Sequence, residues 1–378
     1  MTVPRRPFPN STDQPADFEP DWAKPPGEII LTELKARGLT QAEFAVRTSL
    51  SAKHINQLIK GITTLSPEVA VALERTLDIP VDFWLKAEAR WRSRQIRVNS
   101  RARLTEYADW FEKFPQPVLI AQRLISHADS LEVRVEKLLR FFGVTDTEAF
   151  NTVWLRRQVN FKRSQRFDVD PYATALWVRL AERAAESRAP QANKYDQRRL
   201  RAVLPSIPPL TRSSMPEAFL AIRKELESAG VLLVYMPEIA DTRICGASRW
   251  LQTGHPIIAL TNRNKRIDSF WFYLAHEIGH ILLHPGRETF IDQLDKSLDD
   301  DKDELETAAD SFAQRFYIPE SEQPRLNHMS VGELEYFADE LKVAPSIVAG
   351  QYGRLHNKWA AVSKMRPTIR LDAMLSDL

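Results

Sequence analysis

The chain has 378 residues, with 52 Lys and Arg against 50 Asp and Glu, a net charge of +2 and 43% hydrophobic residues. This length exceeds one ordinary core and predicts two or three domains, while so even a charge balance gives by itself no sign of a nucleic-acid partner. The single cysteine, Cys245, excludes an internal disulfide and a multi-cysteine zinc ribbon, so a metal site must draw on His, Asp and Glu. Neither a run of about 18 apolar residues nor an apolar leader occurs, and the expectation is a soluble, cytoplasmic protein with no membrane contact.

Residues 1–20 are rich in Pro, Ser, Asp and Asn without apolar periodicity and predict a mobile tail. From Pro26 four or five short helices follow, separated at Gly38, Ser49, Gly61 and Pro80. Within this unit, residues 21–85, "LTQAEFAVRTSLSAKHINQLIKG" reads as helix, tight turn, helix, with Thr40 and Ser51 as caps and Phe44, Ala45, Leu50, Ile55, Leu58 and Ile59 facing inward. The outward face of the second helix then offers Lys53, Asn56 and Gln57 to base edges in a major groove. Gln41 suits a phosphate, as do Lys60 and the arginines from Arg90 to Arg103. Residues 86–215 continue as a helical linker and middle domain without evident chemistry. A proline-rich break, "LPSIPPLTRSSMPE", precedes a helix and three β-like runs, "VLLVYM", "TRICGASRWLQ" and "HPIIALT", the last two joined by a hairpin turn at "QTGH". Cys245 reads as a small residue packed in the second run. These elements give an α+β unit over residues 216–357, followed by a tail over 358–378, in a chain that is otherwise mainly α.

"SFWFYLAHEIGHILLHP" opens the chemistry. His276 and His280 are four residues apart and share one helix face, and Glu277 lies about 100° round. In this H-E-x-x-H arrangement two neutral imidazoles bind Zn²⁺ and the glutamate acts as general base. A third protein ligand must come from elsewhere, because a catalytic zinc keeps one position open. Six residues beyond His280 stands Gly286, which closes the option of a third histidine there. His284 falls about 12 Å from His276 along a straight helix, too far for the same ion, and is read as a helix-end or supporting residue. "DELETAADSFAQRFYIPE" predicts a second helix on which Glu306 would complete the shell and Asp310 would hydrogen-bond a ligand imidazole, with Glu304 as the alternative ligand. Mn²⁺ or Fe²⁺ would suit the same ligands. "CGASRWL" is the expected edge strand for an extended substrate, with Gly246 and Ala247 leaving room and Arg249 holding a carbonyl or carboxylate. Arg249 and Tyr317 are the candidates for an oxyanion donor.

With these motifs, residues 25 to about 85 resemble an XRE-type helix-turn-helix of the HigA antitoxin class. Residues 216–357 resemble the ImmA/IrrE metallopeptidases, through "GASRWL", "FWFYLAHEIGHILLH" and "ETAADSFAQRFYIP". The whole chain is similar to fused antitoxin–peptidase proteins. The resemblance implies a zincin-like peptidase domain, metal ligands at His276, His280 and Glu306, a catalytic Glu277, and a transcription factor as substrate class. Two departures stand out: Ser49 where the helix-turn-helix usually has Gly, and Ala308-Ala309-Asp310 where the peptidase helix commonly reads Glu-Ala-Asn. The expected function is a DNA-binding regulatory metalloprotease, latent until activated, that cleaves a repressor or toxin–antitoxin component. The alternative is a repressor or antitoxin whose peptidase-like domain senses a ligand or binds a toxin without turnover. Operator DNA and a second copy of the chain are the further expected partners, since one small helix-turn-helix reads too few base pairs.

Overall fold

The computed structural model describes residues 24–155, 169–284, 290–293, 304–369 and 371. The expected N-terminal tail, residues 1–20, lies outside them. Two compact units divide the chain, one of Met1–Phe111 with Ile125–Leu138, the other of Glu112–Leu124 with Leu139–Leu378.

The first unit packs five helices, α1 (Pro26–Ala36), α2 (Gln41–Thr48), α3 (Ala52–Ile59), α4 (Pro67–Leu77) and α5 (Val81–Leu104), around Ile30, Phe44, Leu73, Leu77 and Trp84. The helix starts are those the polar residues dictate: Thr40 forms a capping box with Glu43, and Ser51 and Ser66 accept from the backbone of His54 and Val69. A Cβ on Gly27 would stand 2.2 Å from the Ile59 carbonyl oxygen, so the missing side chain is what lets α1 rest on the end of α3. Ser49 ends α2 in the left-handed conformation, φ 55°, and so accepts the geometry for which glycine is the usual choice. The basic stretch from Lys86 to Leu104 belongs to α5, a single helix of 24 residues that already begins at Val81.

The second unit holds a four-stranded sheet of β1 (Leu232–Tyr235), β2 (Ile244–Trp250), β3 (Pro256–Leu260) and β4 (Phe290–Gln293), ordered β1-β3-β2-β4. β2 and β3 form the expected hairpin, closed by Leu251 N–H donating to the His255 carbonyl at 2.9 Å, with Gly254 at φ 86° in the turn. The expectation that β2 is an edge strand is corrected. β4 pairs antiparallel with it, Gly246 opposite Asp292 and Ser248 opposite Phe290, so β2 lies inside the sheet and β4 outside.

Three helices pack on this sheet, α6 (Pro171–Glu186), α7 (Met215–Ser228) and α8 (Ile267–Leu283), and α9 (Glu304–Tyr317) and α10 (Pro345–His356) pack in turn on α8. The expected separate middle domain, residues 86–215, is divided between the two units. Its later part is held in the second unit by a ring cluster of Phe114, Phe142, Phe150 and Tyr172, and by Trp177 of α6, whose indole donates to the Pro237 carbonyl at 3.0 Å. The expected tail from residue 358 is likewise docked as far as Leu371, because Val362, Ile369 and Leu371 are buried. Thr368 pairs with Arg266, and Arg366 donates to Asp268 at 2.7 Å. Mainly α with a small α+β C-terminal part is therefore the fold of the chain.

Candidate metal centre and DNA-facing helix

α8 is apolar on almost every side, with Phe270, Trp271, Leu274, Ile278 and Ile281 buried, which is the pattern of a helix covered all round rather than half-exposed. His276, Glu277 and His280 are as buried as those core residues. The two imidazole Nε2 atoms stand 2.9 Å apart. Glu306 of α9 brings one carboxylate oxygen to 3.4 Å from His276 Nε2 and the other to 3.7 Å from His280 Nε2. Donor atoms arranged tetrahedrally at about 2.0–2.1 Å from an ion stand roughly 3.3 Å apart, and the three separations bracket that value. The donor set therefore fits a divalent metal. Glu304, the alternative ligand, is exposed at the start of α9 and is not part of the cluster.

Asp310, one turn after Glu306, places a carboxylate oxygen 3.1 Å from His276 Nδ1. The distance suits a hydrogen bond although the angle does not complete one here; once aligned, it would leave Nε2 as the lone-pair nitrogen. Arg354 of α10 reaches the other oxygen of Asp310 at 3.3 Å while stacking over Phe272, and sequence reasoning missed it. No local pattern singles it out, because its role depends on how α10 docks. His284 ends α8 and contacts the Leu305 carbonyl at 3.1 Å, tying the end of one ligand helix to the start of the other.

Two glycines permit this assembly. A Cβ on Gly279 would meet Phe312 Cδ1 at 3.1 Å and Ala309 Cα at 3.3 Å, so α8 and α9 approach there more closely than side chains allow. On β2, a Cβ at Gly246 would stand 2.7 Å from Glu277 Oε1, so the strand backbone rests on that carboxylate. Ala247 and Arg249 alternate to the other face of β2. Arg249 there pairs with Glu182 of α6 at 2.7 Å and stacks over Trp154, away from the histidines. Tyr317 is fully buried and donates to the Trp271 carbonyl at 2.9 Å, and burial pushes its phenol well above its usual range. Neither of the two oxyanion candidates reaches the cluster.

In the first unit, Lys53, Asn56 and Lys60 are exposed along α3, Gln57 is half-buried beside them, and Gln41 is exposed at the start of α2. Ile55 and Leu58 hold the opposite face in the core. Arg92 is committed elsewhere, to Glu88 at 2.7 Å and the Thr63 carbonyl at 2.8 Å, and the side chains of Arg97 and Arg101 lie outside the described residues. Among the described residues no helix is long and apolar enough to cross a membrane.

A helix-turn-helix unit followed by an α+β unit with a His-His-Glu cluster defines a DNA-binding regulator that carries a metallopeptidase-like domain. The comparisons agree: residues 30–84 match the helix-turn-helix family pattern, and residues 227–350 match that of the IrrE N-terminal-like domain among the M78 peptidases. The chain thus carries, in one polypeptide, a stretch similar to an XRE-type helix-turn-helix and a stretch similar to an IrrE/ImmA-like domain. No curated protein is matched by it.

Proposed function

We propose that the chain is a DNA-binding regulatory metallopeptidase whose ion, Zn²⁺ in the first instance, is held by His276, His280 and Glu306. One observation carries the reading: three buried or half-buried donor atoms from two helices lie within 4.8 Å of one another, with a buried glutamate beside them. When bound, the ion supplies Lewis acidity toward a peptide carbonyl. Glu277 takes a proton from the attacking water and passes it to the leaving amine. Asp310, steadied by Arg354, holds His276 in the tautomer that ligation needs. The substrate is a partner repressor or toxin–antitoxin component in the cytoplasm, and a homodimer places two α3 helices on an operator. Latency has support in β4, which already pairs with the strand that passes over Glu277.

The test is metal content by mass spectrometry on protein purified without added metal, for the wild type, His280→Ala, Glu306→Ala and Glu277→Gln. About one ion per chain is expected in the wild type and in Glu277→Gln, and none in the two ligand variants. Absence of stoichiometric metal in the wild type after zinc is supplied would turn the reading to a repressor whose peptidase-like domain senses or binds without turnover.

A further inference from the structure

Ser248 has no part in the chemistry described so far, yet its position on β2 gives it one. It is 2% exposed, and its hydroxyl has no hydrogen-bond partner among the described residues. A buried hydroxyl without a partner is unfavourable and uncommon, which points to a partner beyond the described residues. Side chains alternate along a strand, so Ser248 faces the same side as Gly246, and that side is occupied by Glu277. β2 also runs along α8 in a fixed sense: Gly246 lies at Glu277, and two residues beyond Ser248, Trp250 shares a cavity wall with Ile281. Ser248 therefore stands against the helical turn between Glu277 and Ile281. On this side of α8 the apolar Phe270, Leu274 and Ile281 flank two polar side chains, Glu277 and His280, and Glu277 is the one that meets the strand, at Gly246. Across the sheet, Ser248 is paired with Ile258 and Phe290, which offer it no side-chain hydrogen bond.

We infer that Ser248 is a positioning residue for Glu277, its hydroxyl donating to a bridging water that in turn donates to the Glu277 carboxylate. Such a bridge is nearly equivalent to a direct hydrogen bond. It holds the carboxylate against the strand backbone at Gly246, aimed toward the His276 and His280 nitrogens. The inference rests on the reading of Glu277 as the general base, but the contact itself does not.

The test uses a pair of variants of the full chain, S248T and S248V, because threonine and valine have nearly the same shape and differ by the hydroxyl. Both are measured for urea unfolding midpoint with Glu277 intact and in an E277L background. S248T is expected to unfold at a higher denaturant concentration than S248V when Glu277 is present, and at the same concentration or a lower one when it is leucine. Equal differences in the two backgrounds would overturn the inference. Metal content should equal that of the wild type in both single variants, separating this contact from ligation. On dye-quenched casein, S248V should lose about 10-fold in kcat with KM unchanged while S248T stays within about 2-fold of wild type; equal loss in both would also overturn it. Where the latent wild-type chain leaves casein intact, the midpoint comparison decides alone: a difference that depends on Glu277 upholds the contact, and one that does not overturns it, while the peptidase reading is judged separately by the metal content of the ligand variants.

Discussion

At the scale of single residues, Asp310 is the side chain whose removal should act most selectively. It touches His276 Nδ1 on one side and Arg354 on the other, so replacing it with asparagine leaves the shape and removes the charge. Asp310→Asn should weaken metal binding about 10–100-fold, read by competition with a chelator, while leaving the fold in place. Unchanged affinity would mean that the contact does not tune the imidazole. Ser49 argues the other way, toward gain. A left-handed backbone costs a non-glycine residue roughly 1–2 kcal/mol, partly offset by the entropy glycine adds to the unfolded chain. Ser49→Gly should therefore stabilise the first unit by about 1 kcal/mol in urea unfolding. No gain would show that the serine makes a compensating contact in solution. The histidine pair and Glu277 were legible because an i, i+4 spacing on a helix leaves two imidazoles little choice of direction. Glu306 was legible through its own i+4 acid. Arg354 was not, since its link to Asp310 exists only after α10 has docked, and Glu182 was hidden as the partner of Arg249 for the same reason.

At the scale of elements, the α8–α9 crossing decides whether two histidines and a glutamate become one site. Gly279 and Ala309 set the separation, and Ala309 lies less than one turn from Glu306. In an ordinary helix Gly→Ala stabilises by about 1 kcal/mol. Here the added methyl would press on the Ala309 backbone, which belongs to a helix and cannot rotate aside as a side chain would. Gly279→Ala should therefore destabilise by about 1–3 kcal/mol and weaken metal binding together, as α9 shifts and takes Glu306 with it. A variant that gains stability and still binds metal would show the helices to be farther apart than described. The helices themselves were readable from capping residues and apolar period. β4 was not, because "FIDQ" is short and owes its strand state to the hydrogen bonds that β2 offers. Missing that strand is also why β2 read as an edge: "CGASRWL" looks identical in sequence whether its outer side meets water, a substrate or another strand.

At the scale of the whole molecule, one expectation links the two units without needing to know how they are arranged. The first unit has its own core, built on Ile30, Phe44, Leu73 and Trp84, and the candidate metal ligands all belong to the second. An ion that binds only the folded second unit stabilises that unit by mass action, about 4 kcal/mol when free metal is a thousandfold above its dissociation constant, and leaves the first untouched. Calorimetry of the zinc-loaded chain should therefore show two transitions. Chelation should lower the one that carries the α8–α9 core and leave the helix-turn-helix transition where it was. Operator affinity of the folded chain should accordingly survive chelation, since the residues expected to face DNA, Gln41, Lys53, Asn56, Gln57 and Lys60, all lie in the first unit. The opposite result, with both transitions falling together or operator binding lost with the metal, would mean that the units are thermodynamically coupled. The ion would then report to the helix-turn-helix unit, and regulation would run through the metal centre rather than only through the proposed cleavage of a partner.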